Sequence, residues 1–276
     1  MKRKCWKASS EVCKKQNMVL NPHHVFIAGA QKCGTSTLFN WLRGHPSLCT
    51  AVKREYQGSV KELHFFAGNN WRRGFDWYAA QYLQPELRCI DATPLYLSSS
   101  KAPPRIARVF PGAKIIVTLR DPVARAMSQF NHYCQDLPDS ENWDWRCPGA
   151  GFSENINEEL RSPFPDWQGL LGRGKYAEQL RYWHQFLPSH RMLILVMEEW
   201  SANCDQAYKD ILDFLELDFV PRDSLDAAHR RTYQSNIKCD DSARRLADYF
   251  APANREFYEL IGREVPAWEK SCLPGS

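Results

Sequence analysis

A short segment near the start of the chain combines two glycines, a lysine and three hydroxyl residues in an order that favours anion binding. Residues 29–38 read Gly-Ala-Gln-Lys-Cys-Gly-Thr-Ser-Thr-Leu and follow a short apolar run. Glycines allow the backbone to wrap closely around an anion. Backbone N–H groups at the start of a helix point at it. The residues predicted to hold a phosphate group are Lys32, Cys33, Gly34, Thr35, Ser36 and Thr37.

The position of the lysine separates this segment from the loop of nucleotide triphosphatases. That loop has the pattern G-x-x-x-x-G-K-[ST]. Gly29 and Gly34 have the same spacing, but Thr35 occupies the lysine position and the lysine lies earlier, at Lys32. We therefore predict that the segment holds a phosphate group in a different way from an ATPase.

A second candidate anion site follows the clearest buried strand, residues 114–119. Arg120 comes directly after this strand, and Ser128 lies two turns into the helix that follows. Arginine offers a planar fork of donors and serine offers a hydroxyl, so the pair is suited to a second phosphate. The alternative is that Arg120 and Asp121 cap the helix while Ser128 faces solvent. Spacing alone leaves both interpretations open.

A carboxylate and a histidine lie in the apolar and aromatic stretch at residues 61–66. A carboxylate buried among aromatic side chains has a raised pKa, which suits a general base. Glu62 is therefore a candidate base with His64 beside it. The alternatives are a surface ion pair of Glu62 with Lys61 or Lys53, and a purely structural histidine. No histidine or cysteine spacing indicates zinc, so we predict no metal.

These candidate residues require a fold that brings several strand ends together. Apolar runs alternate with amphipathic helical patterns, which predicts an α/β fold with a central parallel sheet covered by helices on both faces. Strands are predicted at 25–28, 88–92, 114–119 and 192–197. Helices are predicted at 35–43, 75–82, 103–110, 122–133, 176–186, 201–215 and 242–261. Ligands bind at the carboxyl ends of such strands, where Thr93 and Tyr96 also lie.

Composition and charge narrow the class of protein further. The 276 residues are 43% hydrophobic, and we predict a basic tail at residues 1–21 followed by one domain at 22–276. A net charge of +4 suits a small anionic ligand better than nucleic acid. Ten scattered cysteines form no C-x-x-C pair, and no stretch reads as a secretory signal or membrane span. We therefore expect a cytoplasmic protein, or alternatively a Golgi lumenal domain separated from its anchor.

Several motifs together resemble the sulfotransferases that use 3′-phosphoadenosine 5′-phosphosulfate (PAPS). Residues 29–38 are similar to the 5′-phosphosulfate loop of that family, and residues 119–132 are similar to its 3′-phosphate motif. Segments 61–66, 92–96, 174–180 and 243–258 resemble the heparan sulfate 3-O- and N-sulfotransferase branch. The motifs occur in the family's order, from about residue 24 to the end. The resemblance implies PAPS as donor, its bisphosphate product PAP, and no required metal.

The resemblance also implies roles for individual residues. Lys32 would contact the bridging oxygen and the sulfuryl group, and Glu62 would be the general base with His64 in support. Arg120 and Ser128 would hold the 3′-phosphate. The resemblance further implies that Lys238 contacts the donor. The residues implied to contact the acceptor are Lys61, Thr93, Tyr96 and Tyr176.

Two departures from the family pattern concern the acceptor and the compartment. The 3-O members carry a lysine where this chain has Ala92, and that lysine helps to engage an anionic acceptor. The late donor loop, residues 235–239, lacks the family's nearby disulfide, which fits a reducing compartment. We therefore expect an oligosaccharide or small polar natural product that accepts sulfate on oxygen or nitrogen. The rival interpretations are a P-loop kinase or other phosphotransferase, and a non-catalytic nucleotide-binding or glycan-binding module.

Overall fold

A parallel sheet of five strands organises the chain in the computed structural model, which describes residues 20–52, 61–136, 150–164, 167–222, 225 and 241–270. The strands are β1 (Val25–Gly29), β2 (Leu48–Thr50), β3 (Arg88–Asp91), β4 (Lys114–Leu119) and β5 (Met192–Val196). Their order across the sheet is β2-β3-β1-β4-β5, and every neighbouring pair is parallel. The predicted single α/β domain with a central parallel sheet is confirmed.

Helices connect and cover these strands. They are α1 (Thr35–Leu42), α2 (Phe75–Ala79), α3 (Ala102–Val109), α4 (Pro122–Asp136), α5 (Phe152–Arg161), α6 (Gly169–Gly172), α7 (Tyr176–His184), α8 (Met197–Trp200), α9 (Cys204–Leu215), α10 (Asp241–Ile261) and α11 (Pro266–Lys270). Short 3₁₀ segments lie at Asn69–Arg73, Pro94–Tyr96 and Ser189–Arg191. Among these helices none is both long and apolar enough to cross a bilayer.

Side chains of the central strand alternate between the two faces of the sheet. Phe26 and Ala28 pack into the core on one face, whereas Val25 and Ile27 pack into the core on the other. All four are buried because helices cover both faces. A strand buried on both faces reads as an unbroken apolar run, which is why β1 is visible in the sequence. Burying each of the larger side chains stabilises the fold by about 1.5–3 kcal/mol.

The strand order places a switch in direction at β1. The chain adds β2 and β3 on one side of β1 and then adds β4 and β5 on the other side. A crevice opens at the carboxyl ends of the strands at such a switch point. The loops that follow β1, β3 and β4 therefore meet at one edge of the sheet, and they carry the candidate residues.

The structure departs from the predicted elements in a few places. The helix predicted at 201–215 begins later, at Cys204, and is preceded by the short helix α8. The Asn203 side chain caps α9 by accepting a hydrogen bond from the Gln206 backbone N–H at 3.2 Å. Strand β2 and helix α5 were absent from the prediction. Helix α10 continues through Pro252 over 21 residues. The predicted basic tail lies almost entirely outside the described residues, as does Lys238.

Candidate active site

The predicted phosphate loop joins β1 to α1 and leaves the start of that helix open. Gly34 occupies the N-cap position with a φ of 80°, in the left-handed region that favours glycine. A Cβ atom on Gly34 would lie 2.4 Å from the Trp200 ring, so the position also has no room for a side chain. Gly34 has no side chain with which to cap α1, and none of the residues in the first turn of that helix is acidic. The end of the helix is therefore suited to an anion.

Hydrogen bonds to the neighbouring strand β4 fix the shape of this loop. The Thr118 hydroxyl donates to the Cys33 carbonyl at 2.9 Å and accepts from the Trp200 indole N–H at 2.9 Å. The Ala30 N–H donates to the Thr118 carbonyl at 2.7 Å. Cys33 is fully buried, and burial raises the pKa of its thiol to about 12. The sulfur of Cys33 therefore stays a neutral thiol, and its backbone N–H donates within the loop to the Ala30 carbonyl at 3.2 Å.

Two of the predicted catalytic residues have strained backbone conformations. Among the described residues, the non-glycine positions with positive φ are Lys32 at 69°, His64 at 49° and Glu216 at 54°. Glu216 ends helix α9, where such a conformation is common. Strain of this kind costs about 1–3 kcal/mol and clusters at active sites. Lys32 and His64 thus stand out on backbone geometry as well as on residue type.

The segment that carries the candidate base lies directly against the phosphate loop. The Lys61 ammonium lies 3.2 Å from the Thr35 hydroxyl, 3.0 Å from the Ser36 hydroxyl and 3.1 Å from the Glu62 carboxylate. The other carboxylate oxygen of Glu62 lies 3.4 Å from Nε2 of His64. The loop and the base are therefore parts of a single site, joined by Lys61.

The raised pKa expected for Glu62 is wrong. Burial raises the pKa of this carboxyl, but the hydrogen bond with His64 and the positive charge of Lys61 outweigh it and lower the pKa to about 2. The sequence suggested an apolar environment because aromatic residues follow Glu62. Those aromatic side chains point into the core instead, and the carboxylate faces its polar neighbours.

A buried carboxylate at the end of β3 is a residue that sequence reasoning missed. Asp91 accepts hydrogen bonds from the hydroxyls of Thr93 at 2.6 Å, Tyr96 at 2.7 Å and Tyr78 at 3.2 Å. Burial raises the pKa of Asp91 to about 6, and these hydrogen bonds offset only part of that effect. The available signal was a single acid ending an apolar strand, directly before a Thr-Pro turn.

The hydroxyls bound to Asp91 hold the base-bearing segment in place. The Tyr96 hydroxyl accepts from the Phe65 backbone N–H at 3.1 Å, and the Thr93 hydroxyl accepts from the His64 backbone N–H at 3.4 Å. Each hydroxyl donates to Asp91 and accepts from the segment, so Asp91 acts on the position of His64 and Glu62 through them.

Three residues predicted to contact the acceptor are instead buried. Thr93 and Tyr96 are fully buried against Asp91, as described above. Tyr176 is 1% exposed, and its hydroxyl donates to the Arg120 carbonyl at 2.7 Å. The structure gives these three side chains a positioning role, because each hydroxyl already binds an interior group. Lys61, the fourth predicted acceptor contact, points to the phosphate loop.

The second candidate anion site follows β4, the strand next to β1 in the sheet. Arg120 is partly exposed directly after β4, and Ser128 is only 8% exposed on α4. Asp121 caps α4 by accepting from the Ala124 N–H at 2.7 Å. The capping alternative thus holds for Asp121, but Ser128 does not face solvent. Both Arg120 and Ser128 remain candidates for a second phosphate.

A further contact to the loop comes from a residue that the prediction did not single out. The Arg173 guanidinium donates to the Gln31 side-chain oxygen at 2.6 Å and to the Tyr133 hydroxyl at 3.3 Å. Gln31 lies within the phosphate loop, so this contact joins the loop to α4 and to the turn before α7. The local signal was the Gly-Arg-Gly-Lys sequence at residues 172–175.

The chain belongs to the sulfotransferase domain family, whose model matches residues 22–249. The matched residues include all five strands of the sheet, the start of α1 and Lys32 of the phosphate loop. The resemblance inferred from the motifs is confirmed at the level of the family.

Individual relatives are distant in sequence and similar in fold. The chain is 25% identical over 273 residues to heparan sulfate glucosamine 3-O-sulfotransferase 3A1 of Mus musculus, covering 88% of this chain and 63% of that protein. It is 23% identical over 267 residues to bifunctional heparan sulfate N-deacetylase/N-sulfotransferase 1 of Caenorhabditis elegans, covering 88% of this chain and 30% of that protein. The chain thus spans between about a third and two thirds of these relatives.

A solved structure matches over nearly its whole length. The sulfotransferase from Alicyclobacillus acidocaldarius superposes with a TM-score of 0.68 and 26% sequence identity, covering 90% of this chain and 99% of that one. The five-stranded α/β architecture described above is therefore that of a sulfotransferase.

Proposed function

We propose that this protein transfers a sulfuryl group from PAPS to a hydroxyl or nitrogen atom of an acceptor. The observation that carries the proposal is the contact of Lys61 with both the Thr35 and Ser36 hydroxyls and the Glu62 carboxylate. Because one lysine contacts both, the anion-binding start of α1 and the carboxylate of Glu62 lie close together. A transferase needs that proximity, because donor and acceptor must meet in line.

In the proposed mechanism the loop holds the 5′-phosphate and Glu62 removes the acceptor proton. The start of α1 and the hydroxyls of Thr35 and Ser36 bind the phosphate oxygens. The acceptor atom forms a bond to sulfur while the bond from sulfur to the bridging oxygen breaks. The electron pair of that bond stays on the 5′-phosphate of PAP, where Lys32 stabilises the charge. The proton of the acceptor passes to Glu62, which His64 orients.

Arg120 and Ser128 support a second phosphate subsite. Arg120 directly follows β4, which is next to β1 in the sheet, and Ser128 lies on the helix α4 that comes after it, shielded from solvent. A 3′-phosphate distinguishes PAPS from ATP, and a guanidinium with a hydroxyl is suited to bind it. Lys238, which lies outside the described residues, stays a predicted additional contact.

The acceptor that we propose is a polar compound with hydroxyl or amino groups, such as an oligosaccharide. Support comes from the relatives: one is named as a 3-O-sulfotransferase of heparan sulfate glucosamine, and the other as an N-sulfotransferase of heparan sulfate. Ala92 occupies a fully buried position next to Thr93, so it supplies no charge for an anionic acceptor. A neutral or weakly charged sugar or small natural product therefore fits this chain better than a fully sulfated polymer.

A P-loop kinase is the competing enzyme class, and Asp121 counts against it. A kinase of this architecture needs a carboxylate that holds magnesium at a strand end. Asp121 is the acid nearest to that position, but it is 3% exposed and its carboxylate caps helix α4. In the proposed site the charge next to the transferred group is that of Lys32, and Arg120 is assigned to the 3′-phosphate.

A screen with PAPS labelled in the sulfuryl group tests the proposal. The purified chain is incubated with oligosaccharides and with small hydroxylated or amino compounds, in parallel with the Lys32→Ala variant. We expect label to move to at least one acceptor class with the unmodified chain and not with the variant. Transfer of the γ-phosphate of ATP to those compounds, without any transfer from PAPS, would contradict the proposal.

A further inference from the structure

Lys61 has surroundings that a surface lysine does not have. Its residue is 9% exposed, and its ammonium lies within 3.2 Å of the Thr35 and Ser36 hydroxyls and of the Glu62 carboxylate. An ammonium carries three N–H donors, and the oxygens of Thr35, Ser36 and Glu62 that it approaches belong to the active site. The side chain therefore lies between the half of the site that binds the donor and the half that holds the base.

The hydroxyl partners of Lys61 are the ones available to a bound phosphate. A hydroxyl is both donor and acceptor and rotates to suit its partner. In the present structure the hydroxyls of Thr35 and Ser36 accept from Lys61. A hydroxyl that accepts from an ammonium can at the same time donate to a phosphate oxygen, and in this structure the two hydroxyl oxygens lie 3.2 Å and 3.0 Å from the ammonium. An anion on these hydroxyls is thus within reach of the positive charge of Lys61.

We propose that Lys61 is a donor-contacting cation that pairs with Glu62 in the absence of donor and shifts its charge to the 5′-phosphosulfate when the donor binds. This inference rests on the proposed function and adds a second lysine, from a different segment, to Lys32. It replaces the acceptor-binding role that the sequence predicted for Lys61. The shift leaves one Glu62 oxygen open to the acceptor, so donor binding prepares the base.

The electrostatics of the pair agree with this sequence of events. The charge of Lys61 and the hydrogen bond with His64 lower the pKa of Glu62 to about 2 against the effect of burial. A carboxylate with so low a pKa is a weak base. Moving the Lys61 ammonium away from the Glu62 carboxylate removes one of the two interactions that lower its pKa, so the pKa rises. A weak base before donor binding and a stronger one afterwards gives proton removal only when a sulfuryl group is present.

Calorimetric binding of PAPS and PAP to Lys61 variants tests the proposal without any acceptor. Lys61→Met removes a charge-assisted hydrogen bond to the donor and is expected to weaken PAPS binding about tenfold or more. Lys61→Arg keeps the positive charge in a different shape and is expected to lose less PAPS affinity than Lys61→Met. Lys209→Met is the matched control, because Lys209 lies exposed on α9. Circular dichroism confirms that each variant is folded.

A double-mutant cycle with Glu62→Gln isolates the competition between carboxylate and donor. Releasing Lys61 from Glu62 is expected to tighten PAPS binding, and this gain is expected to shrink in the Lys61→Met background. Equal PAPS affinity in Lys61→Met and the unmodified chain would overturn the inference, as would an identical Glu62→Gln effect in both backgrounds. Absence of PAPS binding in the unmodified chain would instead overturn the proposed function.

Discussion

The donor loop and the base-bearing segment reach the same site by different means. The loop, residues 29–38, follows a buried strand and starts a helix, so its shape depends mainly on local sequence and on the adjacent strand β4. Residues 61–66 belong to no helix or strand. Their backbone N–H groups are held by hydroxyls whose position depends on Asp91, about 30 residues later in the chain. The donor side combines a local strand–loop–helix pattern with contacts to β4, whereas the acceptor side has no local pattern and depends on long-range contacts.

Two carboxylates show what this difference means for chemistry. Glu62 faces Lys61 and His64, and its pKa falls to about 2. Asp91 lies behind it among hydroxyls in the core, and burial raises its pKa to about 6. The exposed side of the segment is therefore adapted to carry charge, while its buried side is adapted to fix position. Mutations on the two sides should have separable effects on turnover and on stability.

The largest effect is expected for Lys32→Ala on the donor side. Removing one group that stabilises developing charge lowers kcat by about a hundred- to a thousandfold, and we expect a loss in that range in sulfuryl transfer. The fold should persist, because the side chain belongs to an open loop. Steady-state kinetics with labelled PAPS measures the effect, with Lys209→Ala as control. A variant as active as the unmodified chain would remove Lys32 from the mechanism.

Asp91→Asn tests the buried side through the pH dependence of stability. Asp91 has an ordinary pKa of 3.8 when unfolded and about 6 when folded, so the protonated acid stabilises the fold at low pH. That contribution is complete below pH 3.8 and is lost as the pH rises through 6. The stability of the unmodified chain relative to Asp91→Asn should fall by about 3 kcal/mol from low to neutral pH.

Denaturant unfolding of both proteins at acidic and neutral pH measures this change. Asp213→Asn is the control, because Asp213 lies exposed on α9 and should show no such trend. A difference between the unmodified chain and Asp91→Asn that stays constant with pH would show that Asp91 has an ordinary pKa in the folded state.

Glu62→Gln tests the exposed side of the same segment. General-base catalysis contributes about a hundredfold or more to a rate, so we expect turnover to fall by that factor. Donor affinity should not fall, because the change removes a negative charge near the donor. Parallel kinetics and calorimetry separate the two quantities. Unchanged turnover would return Glu62 to the role of a partner for Lys61 alone.

The smallest effect is expected for Arg120→Ala, which sharpens the assignment of the second phosphate. Loss of one charge-assisted contact should weaken PAP binding about tenfold or more and leave 5′-AMP binding unchanged. Competition calorimetry with the two nucleotides measures both constants. An equal loss for PAP and 5′-AMP would place Arg120 at the 5′ side of the donor instead.

The predictability of the site follows the same division between local and long-range structure. Strand β4 was predicted with its observed limits, and α1 to within a residue, because apolar runs and glycine punctuation are local signals. The contact of Lys61 with Thr35 joins segments 26 residues apart. No local pattern encodes this contact, and none encodes the orientation of Glu62 towards its charged neighbours. The sequence does not point to Asp91, because the role of this residue depends on hydroxyls that only folding brings together.

Calorimetric titration of the unmodified chain with PAP and with 5′-AMP, without magnesium, tests the central claim most directly. A loop that binds the 5′-phosphate together with a subsite formed by Arg120 and Ser128 predicts that PAP binds about tenfold or more tightly than 5′-AMP. Equal affinities for the two nucleotides, or binding only when magnesium is added, would contradict it.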